Sequence, residues 1–189
     1  MQVQRLGIVG YGEVGKTFAL GLQAQVAQVA AWDLKFADAA AAQQDHARQH
    51  GVRACGSLQQ VCEASELVIS CVTASSTLAV AEEAARFLRP GSIFLDLNSA
   101  SPGTKQRAAA AIDARGGHYV EAGVMTSVPP YGIRVPMLLG GARAGELAVL
   151  LAQWGMDARV VSDRLGTASA IKMCRSVMIK GLEALVIES

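Results

Sequence analysis

Gly10-Tyr11-Gly12-Glu13-Val14-Gly15 constrains this chain more than any other stretch. Glycines spaced G-x-G-x-x-G suit one local geometry: a strand that turns sharply into a helix and presents free backbone amides. The flanks supply that context. Arg5 to Val9 reads as a short apolar strand, Glu13 to Gln25 as an alanine- and leucine-rich helix, and Val29 to Asp33 as a second strand. In such a unit Gly10 permits the turn, Gly12 leaves room for a pyrophosphate, and Gly15 lets the helix approach the strand.

The loop therefore points to a dinucleotide, with Gly10, Tyr11, Gly12, Glu13, Val14 and Gly15 as its contact positions. Asp33 lies about 20 residues further on, where a carboxylate accepts hydrogen bonds from ribose hydroxyls. Its charge opposes a 2′-phosphate, so the cofactor is NAD or NADP with NAD preferred; Lys35 softens that preference. The plainer alternatives are a glycine turn without ligand and a turn-capping aspartate.

Strand–helix alternation continues along the chain. A helix is expected over Asp38–His50, a brief strand near Val52–Ala54, a buried strand over Leu67–Val72 and a helix over Thr77–Leu88. Ser92–Asp96 reads as a strand, Pro102 to about Ala114 as a helix opened by proline, and Tyr119–Ala122 and Met137–Leu139 as strands. A helix at Ala144–Trp154 and a strand at Ala158–Val161 follow. This order predicts an α/β fold, a doubly wound and mostly parallel Rossmann sheet over residues 1–164. Residues 165–189 read as one helix with Leu182, Leu185, Val186 and Ile187 near its end; it is expected to open a second, helical domain belonging to a longer protein. Val72, at the end of the Leu67 strand and the carboxyl edge of the sheet, is expected to contact the cofactor, and Thr73 and Ser75 beyond it either contact the cofactor or cap the next helix.

Composition narrows the class. With 17% charged residues and a formal net charge of +1, the chain has no basic run for nucleic acid. No apolar stretch reaches membrane-span length, and a cytoplasmic location is expected. The four cysteines, Cys55, Cys62, Cys71 and Cys174, have no metal-ligand spacing and read as reduced thiols. His46 and His50 read as an exposed helix face, so no metal is expected.

Three stretches together resemble the β-hydroxyacid dehydrogenase family, which includes 3-hydroxyisobutyrate and 6-phosphogluconate dehydrogenases. They are LGIVGYGEVG, Asp96-Leu97-Asn98-Ser99-Ala100-Ser101-Pro102, and Gly166-Thr167-Ala168-Ser169-Ala170-Ile171-Lys172-Met173. KMCRSVMIKGLEAL resembles a less characterised 6-phosphogluconate dehydrogenase-like branch with its own C-terminal domain type. The resemblance implies NAD(P)-linked oxidation of an alcohol β to a carboxylate, with Lys172 as general acid/base. It also implies an all-helical second domain and a homodimer formed through it. Asn98, Ser99, Thr126, Ser127 and Ser176 fall at its substrate positions. Asn98 and Ser176 replace the usual serine and asparagine, and Ala122-Gly123-Val124-Met125-Thr126-Ser127 replaces an A-P-V-S-G-G stretch, so the acid stays unidentified.

The helical wheel supports Lys172 separately. Ser169, Lys172, Ser176, Lys180 and Glu183 share one stripe bounded by apolar residues, as in the wall of a polar cleft, or else as a solvated face. A lysine whose pKa is lowered by burial and by cations such as Arg175 or Lys180 can exchange a proton with a hydroxyl while hydride moves. Glu121 reads as a solvated strand-end carboxylate without a role. A regulatory module without turnover and an imine reductase-like enzyme are the competing readings.

Overall fold

Five residues, Arg5–Val9 (β1), form the strand from which the sheet grows in both directions. In the computed structural model, which describes residues 1–37 and 42–188, β1 runs into α1 (Glu13–Leu22), β2 (Gln28–Trp32) and α2 (Ala42–Gln49). Residues 38–41 of the helix expected to begin at Asp38 lie outside the described residues. There follow β3 (Arg53–Ala54), α3 (Leu58–Ala64), β4 (Leu67–Ser70), α4 (Thr77–Ala84), β5 (Ile93–Asp96) and α5 (Pro102–Asp113). β6 (His118–Val124), β7 (Met137–Gly140), α6 (Ala144–Gln153), β8 (Ala158–Ser162) and α7 (Thr167–Ile187) complete the order.

The eight strands lie in the order β3-β2-β1-β4-β5-β6-β7-β8. All neighbours are parallel except β6 and β7, which pair antiparallel through Glu121–Gly140 and Val124–Met137. The chain reverses its direction across the sheet between β1 and β4, and ligands of open α/β sheets bind beyond the carboxyl ends of strands at such a point. Pleating sends alternate side chains to two cores. Leu6, Ile8, Ile69 and Leu95 face α1, α2 and α6, whereas Val9, Val68 and Phe94 face α3, α4 and α5.

Two elements differ from expectation. α3 was not anticipated, although Ser57 caps it by accepting from the Gln60 amide at 3.3 Å and Leu58, Val61 and Cys62 give it a buried face. α4 ends at Ala84, short of the expected Leu88, and residues 85–88 finish as turns bonded back to Ala81 and Ala84.

α7 docks only by its first turns. Ala168 is fully buried and Ser169 nearly so, while Val177, Met178 and Leu182 are 62–72% exposed. Among the described residues no helix is long and apolar enough to cross a membrane.

Candidate functional site

The glycine loop has the geometry its spacing implies. Gly10 adopts φ +90°, a conformation that favours glycine, and its amide donates to the Trp32 carbonyl at 2.9 Å. A Cβ on Gly15 would lie 1.9 Å from the Gly10 carbonyl oxygen, so the helix reaches the strand only because that atom is missing. A Cβ on Gly12 would meet nothing within 4 Å; this residue starts α1 with no side-chain cap. The first amides of α1 therefore face open space. Glu13 and Val14 line the cleft, but Tyr11 does not. Its ring is fully buried, edge-on to Phe36 at 5.6 Å and to His46 at 5.9 Å, and only its backbone belongs to the loop.

Asp33 is fixed by two amides. Its Oδ2 accepts from Tyr11 N at 2.7 Å and its Oδ1 from Lys35 N at 2.9 Å, which ties the end of β2 to the loop. Beside it lies a cavity of about 380 Å³ lined by Gly10, Gly12, Asp33, Lys35, Thr73 and Ser76. Thr73 reaches this cavity as expected, whereas Ser76 takes the place expected for Ser75. The Thr73 hydroxyl joins those of Ser75 (3.1 Å) and Ser76 (2.9 Å) and caps no helix amide.

A larger cavity of about 730 Å³ brings together Asn98, Ser99, Thr126, Ser127, Lys172 and Ser176. Cys71 and Val72 border both cavities, so the two lie side by side. β5, the segment after β6 and α7 thus converge on one volume, as the shared stripe on α7 requires. Arg175, Lys180 and Glu183 line it too, whereas Ser169 lies buried at the foot of the stripe.

Lys172 donates to Ser99 Oγ at 2.5 Å. Burial, and after it the charge of Lys105, hold its ammonium below the ordinary lysine pKa, while Asp96 works against them. Arg175 donates to the Met125 carbonyl and pins the segment after β6 against α7. The Asn98 side-chain amide donates to Ser70 Oγ at 3.0 Å, and among the described residues its buried Oδ1 has no partner. Cys71 stays a thiol, because burial and then Asp96 raise its pKa. His46 and His50 stack at 4.1 Å, and His46 is partly buried against Tyr11 rather than exposed.

Two groups beneath the cleft escaped the sequence reading. Glu121 is fully buried, not solvated. Its Oε1 accepts from Gly166 N (2.7 Å) and Ala168 N (3.0 Å), and its Oε2 from Ser169 Oγ (2.8 Å), so it caps α7. Asp96, Lys105 and Tyr119 form a sealed cluster in which Tyr119 donates its hydroxyl to Asp96 Oδ2. Asp96 stands in the quoted motif, but Lys105 looks like any polar helix residue.

Residues 5–152 match the family model described as the NAD binding domain of 6-phosphogluconate dehydrogenase. A conserved hypothetical protein from Sinorhizobium meliloti 1021 has a structure 42% identical with a TM-score of 0.89, covering 98% of this chain and 62% of that one. A conserved protein of unknown function, whose structure revealed similarity with 3-hydroxyacid dehydrogenases, is 33% identical with a TM-score of 0.83. That match covers 97% of this chain and 67% of the other. An uncharacterized 28.5 kDa protein of Methanothermus fervidus is 27% identical over 186 residues, 97% of this chain and 68% of that protein. The chain thus spans about two thirds of the length of these relatives.

Proposed function

Since the chain belongs to the family of the NAD-binding domain of 6-phosphogluconate dehydrogenase, we propose that it is the dinucleotide-binding part of an oxidoreductase in which Lys172 moves the proton. The observation that carries this reading is the Lys172–Ser99 contact inside a cavity that Glu13 and Val14 of the glycine loop also line. A dinucleotide fits the residues present. The uncapped start of α1 offers amides to the pyrophosphate, open space surrounds Gly12, and Asp33 stands beside the smaller cavity for the adenosine ribose. Such a cofactor, NAD or NADP, supplies hydride acceptance and donation.

The chain's own residues handle substrate and proton. Lys172, as the neutral amine, removes the hydroxyl proton of a β-hydroxyacid-like substrate; as the ammonium it returns a proton to the carbonyl oxygen in reduction. Ser99 holds the amine in place, and Thr126, Ser127 and Ser176 offer hydroxyls to the substrate. Arg175 and Lys180 suit its carboxylate. Asp33 favours NAD, and Lys35 beside it moderates the preference. Residues 165–189 begin a second, helical domain that covers the exposed face of α7 and forms the homodimer.

The test is an assay of reduced-nicotinamide absorbance on the full-length protein against a panel of hydroxyacids. Lys172→Ala is expected to lower turnover at least about a hundredfold while leaving dinucleotide affinity nearly unchanged. Equal losses in both would make Lys172 structural, and cofactor binding without turnover of any acid or alcohol would favour a regulatory module. The pH dependence has a definite sign. Oxidation needs the neutral amine, so its kcat/KM rises about tenfold per pH unit up to the Lys172 midpoint, which lies below the ordinary lysine value. Reduction needs the ammonium and declines above that midpoint.

A further inference from the structure

Lys105 is a lysine without water. Its side chain on α5 is 1% exposed, and lysines are almost never sealed in an interior unless paired. Its partner is Asp96 at the end of β5: Nζ lies 2.9 Å from Oδ1 and 3.0 Å from the same residue's carbonyl oxygen. Stability alone does not account for the pair. Withdrawing two such charges from water costs several kcal/mol per ion, and apolar replacements of such pairs are often neutral or stabilising.

What the pair holds is the turn above it. Asp96 Oδ1 also accepts from Asn98 N at 2.7 Å, and the next residue, Ser99, receives Lys172 Nζ. We infer that Lys105 is a positioning residue: through Asp96 it holds the turn that presents Ser99 to Lys172. This rests on Lys172 as the proton-transfer group, and it adds a residue outside the quoted motifs.

The electrostatics follow from the arrangement. Burial and Lys105 disfavour the Lys172 ammonium, and Asp96 favours it. The other charged groups bordering the larger cavity are Glu13 from α1 and Arg175, Lys180 and Glu183 from α7; Glu121 from β6 is engaged by the start of α7. As an ion pair, Asp96 and Lys105 largely cancel at a distance. Losing Lys105 leaves Lys172 facing the unbalanced Asp96 carboxylate; losing Asp96 also discharges Lys105, because burial disfavours its ammonium and Asp96 is what chiefly sustains it.

Competitive acetylation of lysines on the full-length protein, read by mass spectrometry, tests this without substrate or dinucleotide, so its outcome is separate from that of the turnover assay. The rate of Lys172 is measured against exposed Lys35. Lys105→Met is expected to slow Lys172 about fivefold near pH ~8, because more of it is protonated. Lys105→Gln, which keeps a donor to Asp96, serves if the methionine variant does not fold. Asp96→Asn is expected to leave Lys172 within about twofold of the parent, because burial leaves Lys105 as the neutral amine once its carboxylate is gone and both charges vanish together. The Lys105→Met/Asp96→Asn double variant, which buries no unpaired charge, is expected to stay within about twofold of the parent. A lysine that merely fills space would leave Lys172 at the parent rate in Lys105→Met. An unchanged or faster rate in Lys105→Met, or a large shift in Asp96→Asn or in the double variant, would overturn the inference.

Discussion

α1 starts at Gly12 with no side chain engaging its first amides, whereas α7 starts at Gly166 with Glu121 bonded to Gly166 N and Ala168 N. Both starts follow a strand and both use glycine. The difference is what satisfies the orphan amides. At α1 they face open space beside two adjoining cavities, the arrangement that receives a phosphate. At α7 the protein supplies its own anion from β6. Glycines clear the way for it: a Cβ on Gly140 would lie 2.7 Å from Glu121 Oε1, and one on Gly123 would lie 2.9 Å from the Ala168 carbonyl oxygen. An open helix start is thus a place for a ligand, and a filled one is a joint that fixes the helix carrying Lys172.

If α7 is held as a joint, removing its plug should cost the most. Glu121→Ala leaves Gly166 N, Ala168 N and Ser169 Oγ without their shared acceptor in a buried place. The expected destabilisation is about 4 kcal/mol, measured by denaturant unfolding, with faster hydrogen exchange at Gly166 and Ala168. Glu121→Gln keeps one acceptor oxygen and should lose clearly less. Equal losses in the two variants would mean that shape, rather than hydrogen bonding, seats the helix.

The open start is expected to be sensitive at Gly15 for a different reason. The 1.9 Å approach of its would-be Cβ is to backbone, which cannot swing aside. Gly15→Ala should therefore cost about 2–3 kcal/mol of stability and weaken dinucleotide binding through the displaced loop. Unchanged stability would show that α1 can retreat from β1, and the close approach would lose its meaning.

The two starts were unequally legible in the sequence, for physical reasons. The α1 start is local: Gly10, Gly12 and Gly15 sit within six consecutive residues, and Asp33 is one strand away, so spacing alone conveys the geometry. The α7 start depends on Glu121, whose partner Gly166 is 45 residues distant, and a glutamate at a strand end ordinarily meets water. Lys105 is hidden in the same way, since its neighbours Thr104, Gln106 and Arg107 look like a solvated helix face and only packing brings it under Asp96. The reversal of β7 escaped because Met137-Leu138-Leu139-Gly140 is apolar in either direction of pairing. α3 was readable and missed, since Ser57 and the Leu58–Val61–Cys62 spacing form a cap and a face within one short stretch.

Gly12 gives the smallest effect and the sharpest contrast, because it separates ligand from fold within one loop. Its backbone is extended at φ −77° and ψ −159°, which any residue adopts, and no atom stands within 4 Å of a Cβ there. Gly12→Ala should therefore leave the unfolding midpoint nearly unchanged, within about 0.5 kcal/mol. The methyl group would instead occupy the approach to the first amides of α1. The dissociation constant for NAD, measured calorimetrically, should rise about tenfold, equivalent to about 1.4 kcal/mol. Gly15→Ala should show the reverse weighting, with stability lost first and affinity lost as its consequence. If Gly12→Ala binds the dinucleotide as tightly as the parent, the phosphates do not sit on this helix start, and its contrast with the plugged start of α7 would concern stability alone.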